Sequence, residues 1–121
     1  MVNRRINNGI LELRNDEIIV MTIEEKVEND EMLIIVAGEI KNEVAHEFED
    51  EVMTAFSVMK KIRIDLSKAT YMGSLALRAL LSLQQMIDVL PNSKMVIFGL
   101  KEQVKQAFDE SGFYDILNIE E

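Results

Sequence analysis

The sequence has no cysteine and no tryptophan, and only one histidine and one proline among its 121 residues. Without cysteine there is no disulfide, no thiolate nucleophile and no zinc–thiolate cluster. A lone histidine, His46, thins out metal sites and general-base schemes, which usually draw on that side chain. No run of 18 or more apolar residues occurs, so no segment reads as a membrane-spanning helix. The opening MVNRRINNGILELRND lacks an apolar core and a small-residue cleavage site, so no secretory signal is expected and the cytoplasm is the simplest compartment. Basic charge is short too: 13 Lys and Arg against 22 Asp and Glu leave a formal net charge of −9. Such a chain repels phosphate backbones and anionic lipid, which argues against direct nucleic-acid or membrane-surface roles and favours protein partners. The five glycines are scattered, and neither phosphate-loop pattern (G-x-x-x-x-G-K-[ST] or G-x-G-x-x-G) nor the nucleophile elbow G-x-S-x-G is present. No cofactor is implied.

What is present is ordinary globular composition, 48% hydrophobic and 29% charged, in a length that suits one domain with one core. Residues 1–16 read as a polar N-terminal extension, with a short strand at Ile10–Leu13, ahead of a domain over 17–121. EIIVMTIEEKV and EMLIIVAGEI are β-rich runs separated by the polar ENDE, the pattern of an antiparallel hairpin. Val44, Phe48, Val52, Ala55, Phe56 and Met59 then recur at helical spacing, with Asn42 as the expected N-cap. KIRIDLSKATYM is a strand, SLALRALLSLQQMIDVL a helix ended by Pro91, NSKMVIFGL a buried strand, and KEQVKQAFDESGF a helix with Gly112 at its C-cap. YDILNI closes as a short strand or tail. The order β-β-α-β-α-β-α(-β) predicts an α/β domain, a mixed sheet with helices packed on it.

Chemistry-bearing patterns are few. The adjacent carboxylates, such as Glu49–Asp50–Glu51, do not face each other on a helix and read as solvated faces. The eight methionines fall mostly within apolar stripes and read as core filler. Ser74, in ATYMGSLALRALL at a strand-to-helix switch, stands apart. It admits three readings: an N-cap, a nucleophile needing His46 as base, or a phosphorylation site whose product meets the free amides and positive dipole of a helix N-terminus. On a helix, Ser74, Arg78, Leu81, Ser82 and Gln85 share one side, while Ala76, Leu80, Leu83 and Ile87 share the other. The second set predicts core. The first, with Leu75 on its border, predicts a docking face, and Arg78 lies four residues beyond Ser74, within reach of a phosphate.

Three segments resemble the STAS family, the domain of sulfate transporters and anti-sigma factor antagonists. IIVAGEI resembles its second strand and G-E-[LI] turn. IRIDLSKATYMGSLALRALLSL resembles an apolar strand ending in D-L-S, followed by D-S-S-G-L and a leucine-rich helix. VKQAFDESGFYDILNI resembles the closing helix with S-G-[LF] and an apolar strand. The resemblance runs from about Ile18 to Ile119 and implies a STAS-like fold and a regulatory, non-enzymatic role. It implies an anti-sigma factor that is also a serine kinase as partner, with a phosphatase reversing the modification and any ATP belonging to the kinase. The acceptor falls on Ser74, and Gly73, Leu75, Arg78, Leu81, Ser82, Glu39 and Lys41 are the implied partner-contacting residues. This chain departs from the motif: Gly73 stands in place of the aspartate before the serine, Leu75 and Ala76 in place of the following serine and glycine, and Lys41 where aspartate usually follows G-E-[LI]. A divergent, unphosphorylated scaffold subunit of a signalling or transport-regulating assembly is the alternative. The extension over residues 1–16 could lengthen the sheet, dock on a second copy as a homodimer, or be mobile.

Overall fold

The computed structural model describes residues 2–121. The elements are β1 (Val2–Asn7), β2 (Ile10–Asn15), β3 (Ile18–Glu28), β4 (Glu31–Ile40), α1 (Ala45–Phe56), β5 (Lys61–Met72), α2 (Ser74–Asp88), β6 (Lys94–Phe98), α3 (Glu102–Ser111) and β7 (Ile119–Glu120). The seven strands of the described residues form one sheet whose spatial order equals their order in the chain. Strands β1 to β4 pair antiparallel, and β4 to β7 pair parallel through the three helical crossovers. This is the mixed α/β sheet that the alternation of elements predicts.

Local chemistry accounts for the hairpins. Asn8–Gly9 and Asn29–Asp30 are two-residue turns with φ of 52°, 79°, 51° and 64°, the left-handed values that Asn, Asp and Gly tolerate best. The first of these turns corrects one expectation: the polar lead-in is itself strand β1, antiparallel to a β2 that runs on to Asn15. β1 has only Val2 and Ile6 as apolar residues and, apart from Val2, is exposed, so no period-two pattern announces it. It is held by the β2 ladder and by Arg4, whose guanidinium meets Glu51 of α1 at 2.8 Å. The arginines on this free edge also discourage pairing with another strand.

One face of the sheet carries the core. Leu13, Met21, Ile34, Ile64 and Ile97 lie fully buried in a single cluster with Phe48 of α1, Leu80 of α2 and Phe108 of α3. Burying each such side chain stabilises the fold by about 1.5–3 kcal/mol. On α2, Ala76, Leu80, Leu83 and Ile87 are buried as the helical spacing predicts. On the opposite face Leu33 and Ile35 are half-buried and Arg63 stacks on Phe98 while pairing with Glu120 at 2.7 Å. Among the described residues no helix is long and apolar enough to cross a membrane.

Two register shifts in the β4–β5 ladder aim the functional end of the domain. Ile35 faces Asp65 but Ala37 faces Lys68, and Gly38 faces Ala69 but Glu39 faces Tyr71, so β5 carries an extra residue at each step. The burial pattern of β5 accordingly changes from alternate residues (Ile62, Ile64, Leu66) to every third (Ala69, Met72). Tyr71 is thereby turned outward while Met72 stays in the core. Gly38 accompanies this irregularity at φ 96°, where a Cβ would stand 2.5 Å from the Val20 carbonyl oxygen; only glycine fits there.

Candidate functional site

β5 ends at Met72 and α2 begins at Ser74, with Gly73 as the N-cap residue. The Gly73 N–H donates to the Ile40 carbonyl at 2.9 Å, which ties the ends of β4 and β5 together. The Leu75 N–H donates to Asn42 Oδ1 at 3.0 Å. The first turn of α2 is therefore capped by a side chain from the loop after β4. This corrects two sequence expectations. Ser74 is not the N-cap but the first helical residue, and among the described residues its side chain makes no hydrogen bond. Asn42 does not cap its own helix: it opens a short 3₁₀ turn, Asn42–Val44, and its amide reaches across to α2.

Nor is glycine at position 73 required by the backbone. Its φ of −79° and ψ of 169° are open to any residue. A Cβ at Gly73 would lie 2.5 Å from Asn42 Oδ1, so the missing side chain is the room in which Asn42 reaches Leu75. The signal for this in the sequence was the pair itself, a small residue directly before the helix and an amide just past G-E-[LI], but nothing local joins them.

The remaining candidates gather around this junction. Ser74, Leu75, Arg78 and Ser82 are exposed along one side of α2; Leu81 is half-buried and Gly73 buried. Leu75 keeps 46% of its surface in solvent, an unusual exposure for a leucine on an otherwise well-packed helix. Arg78 makes no salt bridge among the described residues, so its guanidinium remains available. A groove of about 250 Å³ between α1 and α2 is lined by Asn42, His46, Glu49, Leu75, Arg78 and Ser82. A second depression, of about 430 Å³, is lined by Glu39, Lys41, Asn42, Glu43 and Tyr71. Glu39 and Lys41 are exposed there and pair with each other at 3.2 Å. His46 points outward, 80% exposed, with Nε2 at 3.2 Å from Asp50; no hydrogen bond joins it to Ser74 among the described residues. The end of the domain thus presents a hydroxyl at a helix N-terminus, a free arginine one turn on, and apolar residues in the open. That arrangement suits docking and modification.

The STAS domain model of known families matches residues 19–121. The chain belongs to the STAS domain family. The match begins one residue into β3, so β1, β2 and the turn after them lie outside the STAS segment. Solved structures with the same fold include an anti-sigma factor antagonist from Mycobacterium paratuberculosis, with TM-score 0.73 and 16% identity over 82% of this chain and 84% of that one. A putative anti-sigma factor antagonist from Thermotoga maritima has TM-score 0.72 and 20% identity, covering 80% of this chain and 84% of that one. The anti-sigma factor antagonist SpoIIAA in its unphosphorylated form has TM-score 0.68 and 13% identity, covering 82% and 88%. At these identities the likeness is one of fold. No curated protein matches the chain.

Proposed function

We propose that this STAS protein is a cytoplasmic regulator of the anti-sigma factor antagonist type, which acts by binding and not by catalysis. Its partner is an anti-sigma factor that is also a serine kinase; the surface around Ser74 docks on it, and phosphorylation of Ser74 ends the contact until a phosphatase restores it. The observation that carries the reading is the placement of Ser74. It is exposed at the first position of a 15-residue helix, next to the outward Leu75 and one turn before the free Arg78. Phosphate there would add about −1.5 to −2 charges at pH 7 beside an apolar contact, enough to expel a partner that is apolar or acidic at that point. The helix dipole and Arg78 would hold the modified side chain in place.

The test is intact mass of the protein from its own cells, before and after phosphatase, for the native chain and for Ser74→Ala. A phosphate-sized increment that phosphatase removes and Ser74→Ala abolishes is the expected result. Its absence in every growth condition overturns the switch.

A second reading, an unphosphorylated scaffold subunit, draws support from the cap. Asn42 already occupies the Leu75 amide, and the residue before the serine is glycine where the family pattern has aspartate. A phosphate on Ser74 would find one of the helix's free donors taken. Under this reading the complex persists after incubation with the kinase, and the mass does not change.

A further inference from the structure

Exposed apolar side chains collect at the end of the sheet that carries Ser74. Ile18 is 69% and Ile19 43% exposed in the corner between β2 and β3, Tyr71 is 51% exposed at the end of β5, and Leu75 46%. Single apolar residues on a surface need no explanation, but four around three adjoining depressions do. The three depressions share walls. Glu39 and Lys41 line both the depression beside Tyr71 and a neighbouring one of about 530 Å³ beside Ile18, Ile19 and Thr70. Asn42 in turn joins the Tyr71 depression to the groove between α1 and α2 that Leu75 borders.

The hairpin register puts the isoleucines there. Asn15 faces Ile18 across the turn at Asp16, and the ladder slips one residue, Arg14 facing Ile19 while Leu13 faces Met21. Leu13 and Met21 remain in the core, and both isoleucines stay outside it. The surrounding charge has one sign in excess. Among the residues lining the three depressions, Asp16, Glu39, Glu43 and Glu49 outnumber Lys41 and Arg78, and Lys41 is already paired with Glu39.

We infer that the β2–β3 corner, Asp16 to Ile19, extends the docking surface around Ser74, and that its occupant is a segment of the protein partner with an apolar centre over Ser74 and Leu75 and a basic rim at the corner. This rests on the proposed function, and it adds an element the STAS segment does not supply, since Asp16, Glu17 and Ile18 precede residue 19. The corner sets which partner fits. A partner with an acidic rim is repelled by the carboxylates, and one without an apolar centre leaves the isoleucines in water.

The test uses the full chain in its native cells. Ile18, and separately Leu75, is replaced with a photoreactive phenylalanine analogue, the cells are irradiated, and the cross-linked peptides are identified by mass spectrometry. The expected result is one polypeptide joined at both positions, with the segment reached from position 18 carrying net positive charge. Adding Ile18→Asp to the Leu75 probe lowers adduct yield about ten-fold or more, the scale expected for losing one buried isoleucine contact. Val27→Asp, at the far end of β3 and 62% exposed, leaves that yield unchanged. Both Asp variants are first shown by thermal melting to fold as the parent does. An adduct at Leu75 with none at Ile18 overturns the inference and leaves the proposed function standing. So does an adduct at Ile18 with another polypeptide, a second copy of this chain or a lipid, or an Ile18→Asp variant without effect. No adduct at either position overturns both.

Discussion

Removing the Asn42 amide should loosen the start of α2 and, in the same stroke, make room for a side chain at Gly73. In Asn42→Ala the Leu75 N–H loses its acceptor at 3.0 Å. Loss of a helix cap costs roughly 0.5–2 kcal/mol, typically about 1. For a chain of this size that is a fall in melting temperature of about 4 °C. Gly73→Ala by itself meets the same amide from the other side, its Cβ 2.5 Å from Oδ1. Either Asn42 swings away and the cap is lost, or the junction is overpacked; both routes cost about 1 kcal/mol or more. In the double variant the amide is gone, and the nearest remaining atom is the backbone nitrogen of residue 42 at 3.3 Å, a contact that a shift of a few tenths of an ångström relieves. The backbone at Gly73 suits alanine, so the second substitution should then be nearly neutral. The double variant should match Asn42→Ala alone, a coupling of about 1 kcal/mol measured by urea denaturation followed with far-ultraviolet circular dichroism. If the two costs add to within about 0.3 kcal/mol, the two residues do not share one space and the reasoning is refuted.

Ser74→Ala should change stability by less than about 0.5 kcal/mol in the same assay, because the cap belongs to Asn42; a loss of about 1 kcal/mol would return the cap to Ser74. Gly38→Ala should cost about 3 kcal/mol or more, since φ of 96° and the Val20 carbonyl at 2.5 Å penalise a Cβ together; a melting temperature within a degree or so of the parent would refute the packing at that bend. Glu25 is exposed as a residue, yet its carboxyl is held above the usual carboxylate range, first by partial desolvation and then by Glu51 beside it. The folded state therefore binds that proton more tightly than the unfolded chain, and stability declines as pH rises through the carboxylate range. Glu25→Gln should raise the melting temperature at pH 7 and leave it unchanged at pH 3; equal gains at both values would assign the effect to packing.

Much of the architecture was legible because it is written in local periods. The helical stripes over Phe48, Leu80 and Phe108, the αL glycine at Gly112 and the polar ENDE turn each specify their element from within a dozen residues, and each appears where expected. β1 was not legible, because its stability comes from pairing with β2 and from one ion pair to α1, neither of which imprints an apolar rhythm on VNRRIN. The bulges of β5 were hidden for a related reason. In SKATYM polar and apolar residues are mixed in equal number, and only the facing strand determines which of them turn outward.

The site divides along the same line. The side of α2 that would be exposed followed from spacing alone, since any helix that buries Ala76, Leu80 and Leu83 must present Ser74, Arg78 and Ser82. How the helix begins did not follow, because its cap comes from a residue 32 positions before Ser74 along the chain and is joined to it only through the parallel pairing of β4 and β5. That distance has a functional consequence. In a helix capped by its own serine, a phosphate on that serine would rearrange the cap it carries; here the cap sits on a separate loop, so under the proposed switch Ser74 is phosphorylated, or can be substituted, while α2 keeps its start. A switch built this way would change the charge of the surface and leave the fold underneath it intact.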